Sequence, residues 1–418
     1  MSEWEKVKLE DVAEIVGGGT PSRQETGYWN GNIKWVTPTD ITKNNNKYLD
    51  KTLNTITEIG LQKSAAKLID VNNVLMTTRA TIGKCVINRI PVTTNQGFTN
   101  FISKNELIDP EFLYYTLVLN AKKFESLGSG STFKEISKSE IKTFNILIPS
   151  NIKVQQKIVA ILSSVDEAIE KTEQIIHQTE KVKSGVMQQL LTKGVGHTQF
   201  KHSPLGEIPS TWEVLSVKEF ASVEYGISEA VSNNSDPNIG IPIITGANIT
   251  LKGELNLSKK VYIEKRAQER FKLQKGDLLF NWRSGSQLHV GKTAIFNLDE
   301  DYTFASFILR IRVNNDDCDF QYYHYLLNYL KSIEYFSKDT SVQVNFKLNA
   351  TSFRDLLLMK PPLREQKQIS KKLSSIDYKI KIEQQKLSKI LEIKQGLMQD
   401  LLTGKVRVPI DNEEVVET

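Results

Sequence analysis

Two arginines stand in matching settings. Arg79 ends DVNNVLMTTR (70–79) and Arg283 ends QKGDLLFNWR (274–283); each follows a turn and an apolar strand and precedes a Gly-containing loop that closes on Gly–Lys, Gly83–Lys84 or Gly291–Lys292. A guanidinium at a strand end presents a rigid fork of donors, suited to paired acceptors such as two phosphate oxygens or a purine edge. No residues that would carry out a bond-breaking step accompany them. There is no GxxxxGK[ST] loop, no HExxH, no GxSxG, no Asn-Pro-Pro-aromatic sequence and no dinucleotide fingerprint. Gly17-Gly18-Gly19-Thr20 lacks a following lysine and reads as a turn. The five histidines are scattered, and His197 and His202 have no cysteine partners, so no metal is expected.

The elements that position these arginines occur twice. Residues 155–192 and 366–403 align without a gap, with 15 of 38 positions identical. Fixed-offset similarity sets architecture. Apolar residues recur at steps of 4 and 3: Ile158, Leu162, Val165, Ile169, Ile176, Val186 and Leu190, then Ile369, Leu373, Ile376, Ile380, Leu387, Ile390, Leu397 and Leu401. This is a heptad seam on helices roughly 60 Å long. Each copy is the other's nearest cover, in parallel or antiparallel array. Thr172, Thr179, Glu383 and the matched Lys183 and Lys394 interrupt the seam; polar seam residues can fix register. The matched Gly185 and Gly396 each cost about 1 kcal/mol in a helix, which points to close helix approach or a bend.

The repeat extends into the segments before each helix. WEKVKLEDVAEIV from Trp4 parallels WEVLSVKEFASVE from Trp212, and IKWVTPTDIT (33–42) parallels IPIITGANIT (241–250). Asp109–Pro110 starts a helix with Tyr114 and Tyr115; its counterpart carries Tyr322 and Tyr323. These tyrosines suit core packing, with base stacking as the alternative. SGSTFKEIS (129–137) corresponds to SVQVNFKLN (341–349), and each unit closes on an apolar strand and proline.

The expected organisation is therefore two mixed α/β globules (1–150 and 197–361), each followed by a long helix (151–196 and 362–408), with an acidic tail at 409–418 that is expected to fray. Gly, Pro and Ser over 194–210 mark a linker. A net charge of +5 and a pI near 8.8 permit nucleic-acid binding without requiring it. Two cysteines, one per half, fit a reducing cytoplasm; no apolar run of membrane-spanning length and no signal-peptide core occur. A shared frame with differing loops at 17–30 and 226–240 suggests two related surfaces of different specificity.

The phrases IPSNIKVQQKIVAILSSVDEAIEKTEQII, GVMQQLLTKG, LGEIPSTWEV and QGLMQDLLTGKVRV resemble the specificity subunits of type I restriction–modification enzymes over residues 1–408. The resemblance implies two α/β target recognition domains in tandem. They are separated by long helices packed as an antiparallel coiled coil, in a pseudo-two-fold repeat. Each domain would read one half of a split double-stranded DNA target. The chain would be non-catalytic and would direct two modification subunits that methylate adenine and two restriction subunits that cut. S-adenosylmethionine, ATP and Mg would reside on those partners, and no membrane would be involved.

Within this frame the expected DNA-contacting residues lie in polar loops between strands. In the first domain they are Thr20, Ser22, Arg23, Lys34, Arg79, Lys84, Asn95, Gln96, Ser131 and Lys134. In the second they are Asn233, Asn234, Arg283, Ser284, Ser286, Gln287, Lys292, Gln343, Asn345 and Lys347. Two other classes compete: a coiled-coil scaffold whose globules bind proteins, and a stand-alone DNA methyltransferase, which the missing cofactor motif disfavours.

Overall fold

The computed structural model describes residues 4–44, 46–130, 134–228, 238, 240–264, 271–337, 346–347 and 349–409. The chain divides into two compact units, Met1–Gln174 with Gln385–Thr418, and Ile175–Gln384.

In the first unit, a five-stranded sheet has the order β2 (Ala13–Gly17), β9 (Phe98–Ser103), β6 (Val74–Thr77), β7 (Cys85–Asn88), β4 (Tyr48–Leu49). Its pairs are antiparallel except β4 with β7. A second sheet sets β3 (Trp29–Val36) between antiparallel β5 (Asn54–Ile56) and parallel β8 (Val92–Thr94). β1 (Trp4–Lys8) pairs antiparallel with β10 (Asn145–Pro149).

The second unit repeats this plan. β14 (Ala221–Tyr225), β21 (Ile308–Val313), β17 (Leu278–Asn281) and β19 (Thr293–Ile295) form an antiparallel sheet. β15 (Gly240–Ile244) lies between β16 (Val261–Glu264) and the parallel β20 (Thr303–Phe304). β13 (Glu213–Ser216) pairs with β23 (Leu357–Lys360). The strand pairings of the two units correspond, apart from β4 in the first and two short strand pairs in the second, Phe200–Ser203 with Gly206–Pro209 and Arg283–Ser284 with Phe346–Lys347.

A helix packs on each main sheet, the largely apolar α1 (Pro110–Leu119) in one unit and the amphipathic α3 (Phe320–Ser332) in the other. Pro110 occupies the first turn, where its missing N–H is not needed, and Asp109 Oδ1 accepts from Glu111 N at 2.9 Å. Tyr115, Tyr322 and Tyr323 are fully buried in the cores and Tyr114 packs against them, so these rings are core rather than stacking platforms.

The long helices are α2 (Ile152–Lys193) and α4 (Leu363–Leu401). They run antiparallel. In the first unit Ile158 and Leu162 share a core with Leu401 and Leu402, and Asp166 meets Lys394. In the second, Leu190 and Leu191 share a core with Ile369 and Leu373, and Lys183 meets Asp377. The seam ends are thus sealed into the globules, each Ile or Leu contributing about 1.5–3 kcal/mol of burial. Val165, Ile169, Ile176, Val186, Ile376, Leu387, Ile390 and Leu397 are half-buried, and Ile380 is buried.

The matched glycines within the helices correct an expectation. Gly185 and Gly396 are exposed, an added Cβ at either would meet nothing within 4 Å, and both helices run through them unbroken. They accommodate neither a close approach nor a break inside their unit. The glycines that do matter end the helices. Gly194 and Gly404 take φ of +68° and +71°, and a Cβ there would stand 2.9 Å from Trp212 or Trp4 respectively. The linker after Gly194 also holds more structure than its composition suggests: Phe200–Ser203 (β11) and Gly206–Pro209 (β12) form a hairpin.

Candidate nucleic-acid interface

In the first unit, a polar corner forms where the turn after β2 meets the turn after β8. Gly18 must lack a side chain, because a Cβ would stand 1.9 Å from the Asn95 carbonyl oxygen. Two tryptophans on β3 pin the loop that follows: Trp35 Nε1 donates to the Gly19 carbonyl and Trp29 Nε1 to that of Ser22, both at 3.0 Å. Their rings meet edge to face, with centroids 4.9 Å apart. The Thr20 hydroxyl bonds to the Gln96 side-chain carbonyl. Thr20, Ser22, Arg23, Asn95 and Gln96 are thereby brought to one place. Arg23 and Asn95 line a recess of about 590 Å³ with Trp29, Thr37, Thr39 and Asn54.

Arg79 stands beside this corner, its Cβ 3.7 Å from where a Gly97 Cβ would lie. It pairs across the backbone with Glu135, and Nε lies 3.7 Å from that carboxylate, both side chains about half exposed. The next residue, Ala80, adopts φ of +64° and donates its N–H to the Lys134 carbonyl at 3.2 Å, so Lys134 belongs to the same edge. Lys84 is exposed on the other leg of the hairpin. Lys34 is exposed too, but it sits mid-strand on β3 between Thr55 and Val92 rather than in a loop. Ser131 lies outside the described residues.

The second unit builds its corner differently. Arg283 and Ser284 form a short strand, β18, paired with β22 (Phe346–Lys347), so that Arg283 faces Lys347 where Arg79 faces Glu135. The Arg283 guanidinium carbon lies 5.3 Å from the centre of the exposed Phe307 ring. Ser286 and Gln287 are exposed on the following turn. A recess of about 520 Å³ is lined by Thr245, Asn281, Arg283, Ser284, His289 and Phe307, among others.

Lys292 is placed otherwise than the sequence suggests. It is 4% exposed, and its ammonium donates to the carbonyls of Gly246 at 2.8 Å and Ile249 at 2.5 Å. Burial, and secondarily the charge of Lys331, lowers its pKa. Its charge is spent on holding the 245–249 loop, which makes it a support of the recess rather than part of an open surface. Asn233, Asn234, Gln343 and Asn345 lie outside the described residues, and Lys347 is described by its backbone.

Several lining residues escaped the sequence: Trp29, Thr37, Thr39 and Asn54 in one unit, Thr245, Asn281, His289 and Phe307 in the other. One signal was present. Thr37 and Thr245 are identical in the repeat, and each bonds through N and Oγ1 to the polar residue three positions on, Asp40 (2.8 and 2.6 Å) or Asn248 (2.9 and 2.8 Å). That spacing is a capping box. Asp40 Oδ1 further accepts from Leu53 N at 2.8 Å, tying the corner to the next strand. Among the described residues, no His, Cys, Asp or Glu group could hold a metal, and no helix is long and apolar enough to cross a membrane.

Comparison with known proteins adds an independent line. Residues 1–181 and 209–392 each match the type I restriction modification DNA specificity domain. The MjaIX specificity subunit of Methanocaldococcus jannaschii is 26% identical over 419 residues, covering 97% of this chain and 94% of that protein. The EcoR124I/EcoR124II specificity subunit of Escherichia coli is 29% identical over 175 residues, covering 39% of this chain and 41% of that protein. Among solved structures, the type I system S subunit from M. genitalium is similar at a TM-score of 0.54 and 16% identity, over 96% of both chains. A chain from a structural study of type I R-M complex assembly and conformational transition is similar at 0.63 and 16%, over 96% of this chain and 98% of that one.

Proposed function

This chain belongs to the type I restriction–modification DNA specificity family, and we propose that it reads a bipartite double-stranded DNA target with one half-site per globular domain. The observation that carries this reading is the pair of polar corners. Both sit after equivalent strands on one duplicated frame, yet they present different side chains: Arg23, Asn54, Asn95 and Arg79 in one, Asn281, Arg283, His289 and Phe307 in the other. Two different readers on a shared spacer gain affinity as a linked pair and fix the distance between the sequences they accept.

The chain itself performs no bond-breaking step on this reading. It directs adenine methylation by two modification subunits that bind S-adenosylmethionine, and cleavage by two restriction subunits that use ATP and Mg, all within the cytoplasm. The candidate contacts are Thr20, Ser22, Arg23, Arg79, Asn95, Gln96 and Lys134 in the first domain and Arg283, Ser284, Ser286 and Gln287 in the second, with Lys292 supporting them.

The test is a genome-wide map of methylated adenines in cells holding the modification partner with and without this chain. A split motif that disappears with the chain is the expected result, and the purified complex should bind that motif with a steep salt dependence. Identical maps with an active partner, and no salt-dependent DNA binding, would replace this reading with the protein-binding scaffold.

A further inference from the structure

The recess in the second unit contains a polar atom without a partner. Asn281 is 3% exposed at the end of β17, and its Oδ1 has no hydrogen-bond partner. Its orientation is fixed by the other half of the amide: Nδ2 donates to the His289 carbonyl at 3.0 Å, and turning the amide over would set oxygen against oxygen. Oδ1 is therefore a committed acceptor. Beside it in the same lining stands Gly246, where an added Cβ would lie 3.2 Å from Oδ1, closer than side chains ordinarily pack. That stretch of backbone is held in place, because Lys292 ties the Gly246 carbonyl down at 2.8 Å and Thr245 is bonded to Asn248. A second atom at the same recess, His289 Nδ1, is also buried without a partner.

The first unit closes the equivalent place. Thr77 occupies the position of Asn281 at the end of β6, and its hydroxyl is bonded within its own hairpin, to Thr81 O and to Lys84. Pro38 stands where Gly246 does. The unpartnered acceptor at this place is thus specific to the second globule and is not a consequence of the shared frame.

We infer that this recess takes the exocyclic amino group of one base in the second half-site, with Asn281 Oδ1 accepting from it and Arg283 in the same lining beside that base edge. The ligand class follows from the atom. A phosphate, thymine O4 and guanine O6 and N7 are all acceptors and cannot satisfy Oδ1, whereas the amino groups of adenine, cytosine and guanine can. Arg283, held beside the exposed Phe307 ring in the same lining, adds a donor for the acceptors of the neighbouring base edge or phosphate. The inference rests on the DNA-reading function proposed above.

The experiment uses the full chain with its modification partner and the split motif from the methylation map. Each amino-bearing base of the second half-site is replaced in turn by its analogue lacking that group: purine for adenine, 2-pyrimidinone for cytosine, hypoxanthine for guanine. One position should lose about five- to ten-fold in affinity, in line with a single hydrogen bond to a buried acceptor, and its analogue identifies the base. In Gly246→Ala, whose Cβ crowds Oδ1, and in Asn281→Leu, the effect at that position should fall below about two-fold. Affinity for the first half-site, measured on the same molecules, should stay unchanged and so reports intact folding. A second half-site indifferent to every amino group, or an undiminished response in Gly246→Ala, overturns the inference. A wild-type complex with no sequence-specific binding at either half-site overturns the DNA-reading function instead, and the inference falls with it.

Discussion

Lys394 on α4 meets Asp166 on α2 at 2.5 Å, and Tyr115 of the first globule donates to the same carboxylate at 2.6 Å. The second unit repeats the arrangement with the helices exchanged: Lys183 on α2 meets Asp377 on α4 at 2.5 Å, and Tyr325 donates to Asp377 at 2.7 Å. One carboxylate thus joins a globule, its own long helix and the opposite helix. The lysines that interrupt the apolar seam are the outer members of these nodes. Lys394→Met should destabilise the first unit by about 1–2 kcal/mol, since it leaves a partly buried carboxylate with fewer partners. The double variant Asp166→Asn/Lys394→Met should cost less than the sum of the two single changes. Urea denaturation of the four proteins checks this, and strict additivity would show that the pair contributes no coupling.

Gln155 and Gln366 are completely buried and occupy matching places in the helical repeat. Gln155 Oε1 accepts from Asp109 N at 2.8 Å while Nε2 donates to Leu107 O and Pro149 O, both at 3.0 Å. Gln366 does the same with Asp319 N at 2.8 Å, Asp317 O at 3.2 Å and Pro361 O at 2.8 Å. Replacing either by Leu strands three backbone groups away from water and should cost about 2–4 kcal/mol. Gln174 and Gln385 are also identical between the repeats but exposed; the same change there should stay within about 0.5 kcal/mol. Thermal and urea unfolding of the four variants distinguishes buried from surface glutamine directly.

The contrast between these two glutamine pairs marks what the sequence made legible. Repeats, seam spacing and strand ends are local or periodic, so the helices, the duplicated globules and the placing of Arg79 and Arg283 could be read from the chain. Even the alignment of 129–137 with 341–349 held, since it puts Glu135 and Lys347 opposite the two arginines. Identity between repeats said nothing about which side a residue faces. Gln155 and Gln174 carried the same mark, as did Lys183 and Gly185, and only packing separates them. The recesses were harder still. Trp29, Trp35 and Gly19 meet through contacts between distant segments, and Lys292 turns inward because two carbonyls wait there, where its counterpart Lys84 stays outside.

The first unit adds a pH-sensitive group that the second lacks. Glu111 on α1 receives Lys47 Nζ at 2.7 Å, Tyr48 Oη at 2.6 Å and Ser163 Oγ at 3.3 Å. Burial alone would raise its pKa, but these partners more than offset it and hold the carboxyl below its ordinary value. A depressed folded-state pKa contributes stability above the unfolded value near 4.5 and loses it as pH falls through the folded value. Tyr48 is pushed up to about 12, by burial and then by Glu111. Its contribution is present below the ordinary pKa of 10 and lost as pH rises toward 12. Gln321 stands at the matching place on α3. Glu111→Gln should therefore cost about 1 kcal/mol at pH 7, and the difference should shrink as pH falls below 4.5 and through the lower folded-state value. Urea midpoints of both proteins across pH 3–8 check it; a difference that did not shrink between pH 7 and pH 3 would deny Glu111 this role.

Arg79 and Arg283 occupy equivalent strand ends with opposite neighbours, Glu135 in one case and Lys347 in the other. If each arginine serves its own half-site, Arg79→Ala should weaken discrimination at the first half-site by about 1–3 kcal/mol and leave the second unchanged, with Arg283→Ala giving the converse. Equal loss at both half-sites, or none, in competition binding against half-site mutants would reject the assignment. Glu135 tests the electrostatic side independently. Its carboxylate, 3.7 Å from Arg79 Nε, sets a negative charge beside the proposed Arg79 contact. Glu135→Lys removes that charge and supplies a cation, as the second unit does by sequence. It should raise affinity for specific and random DNA alike and steepen the slope of log K against log salt by about 1, the value for one added phosphate contact. Because the substitution leaves Arg79 itself in place, the preferred bases of the first half-site should not change. A changed preference with an unchanged slope would mean that Glu135 orients Arg79 toward a base instead of tuning attraction to the backbone.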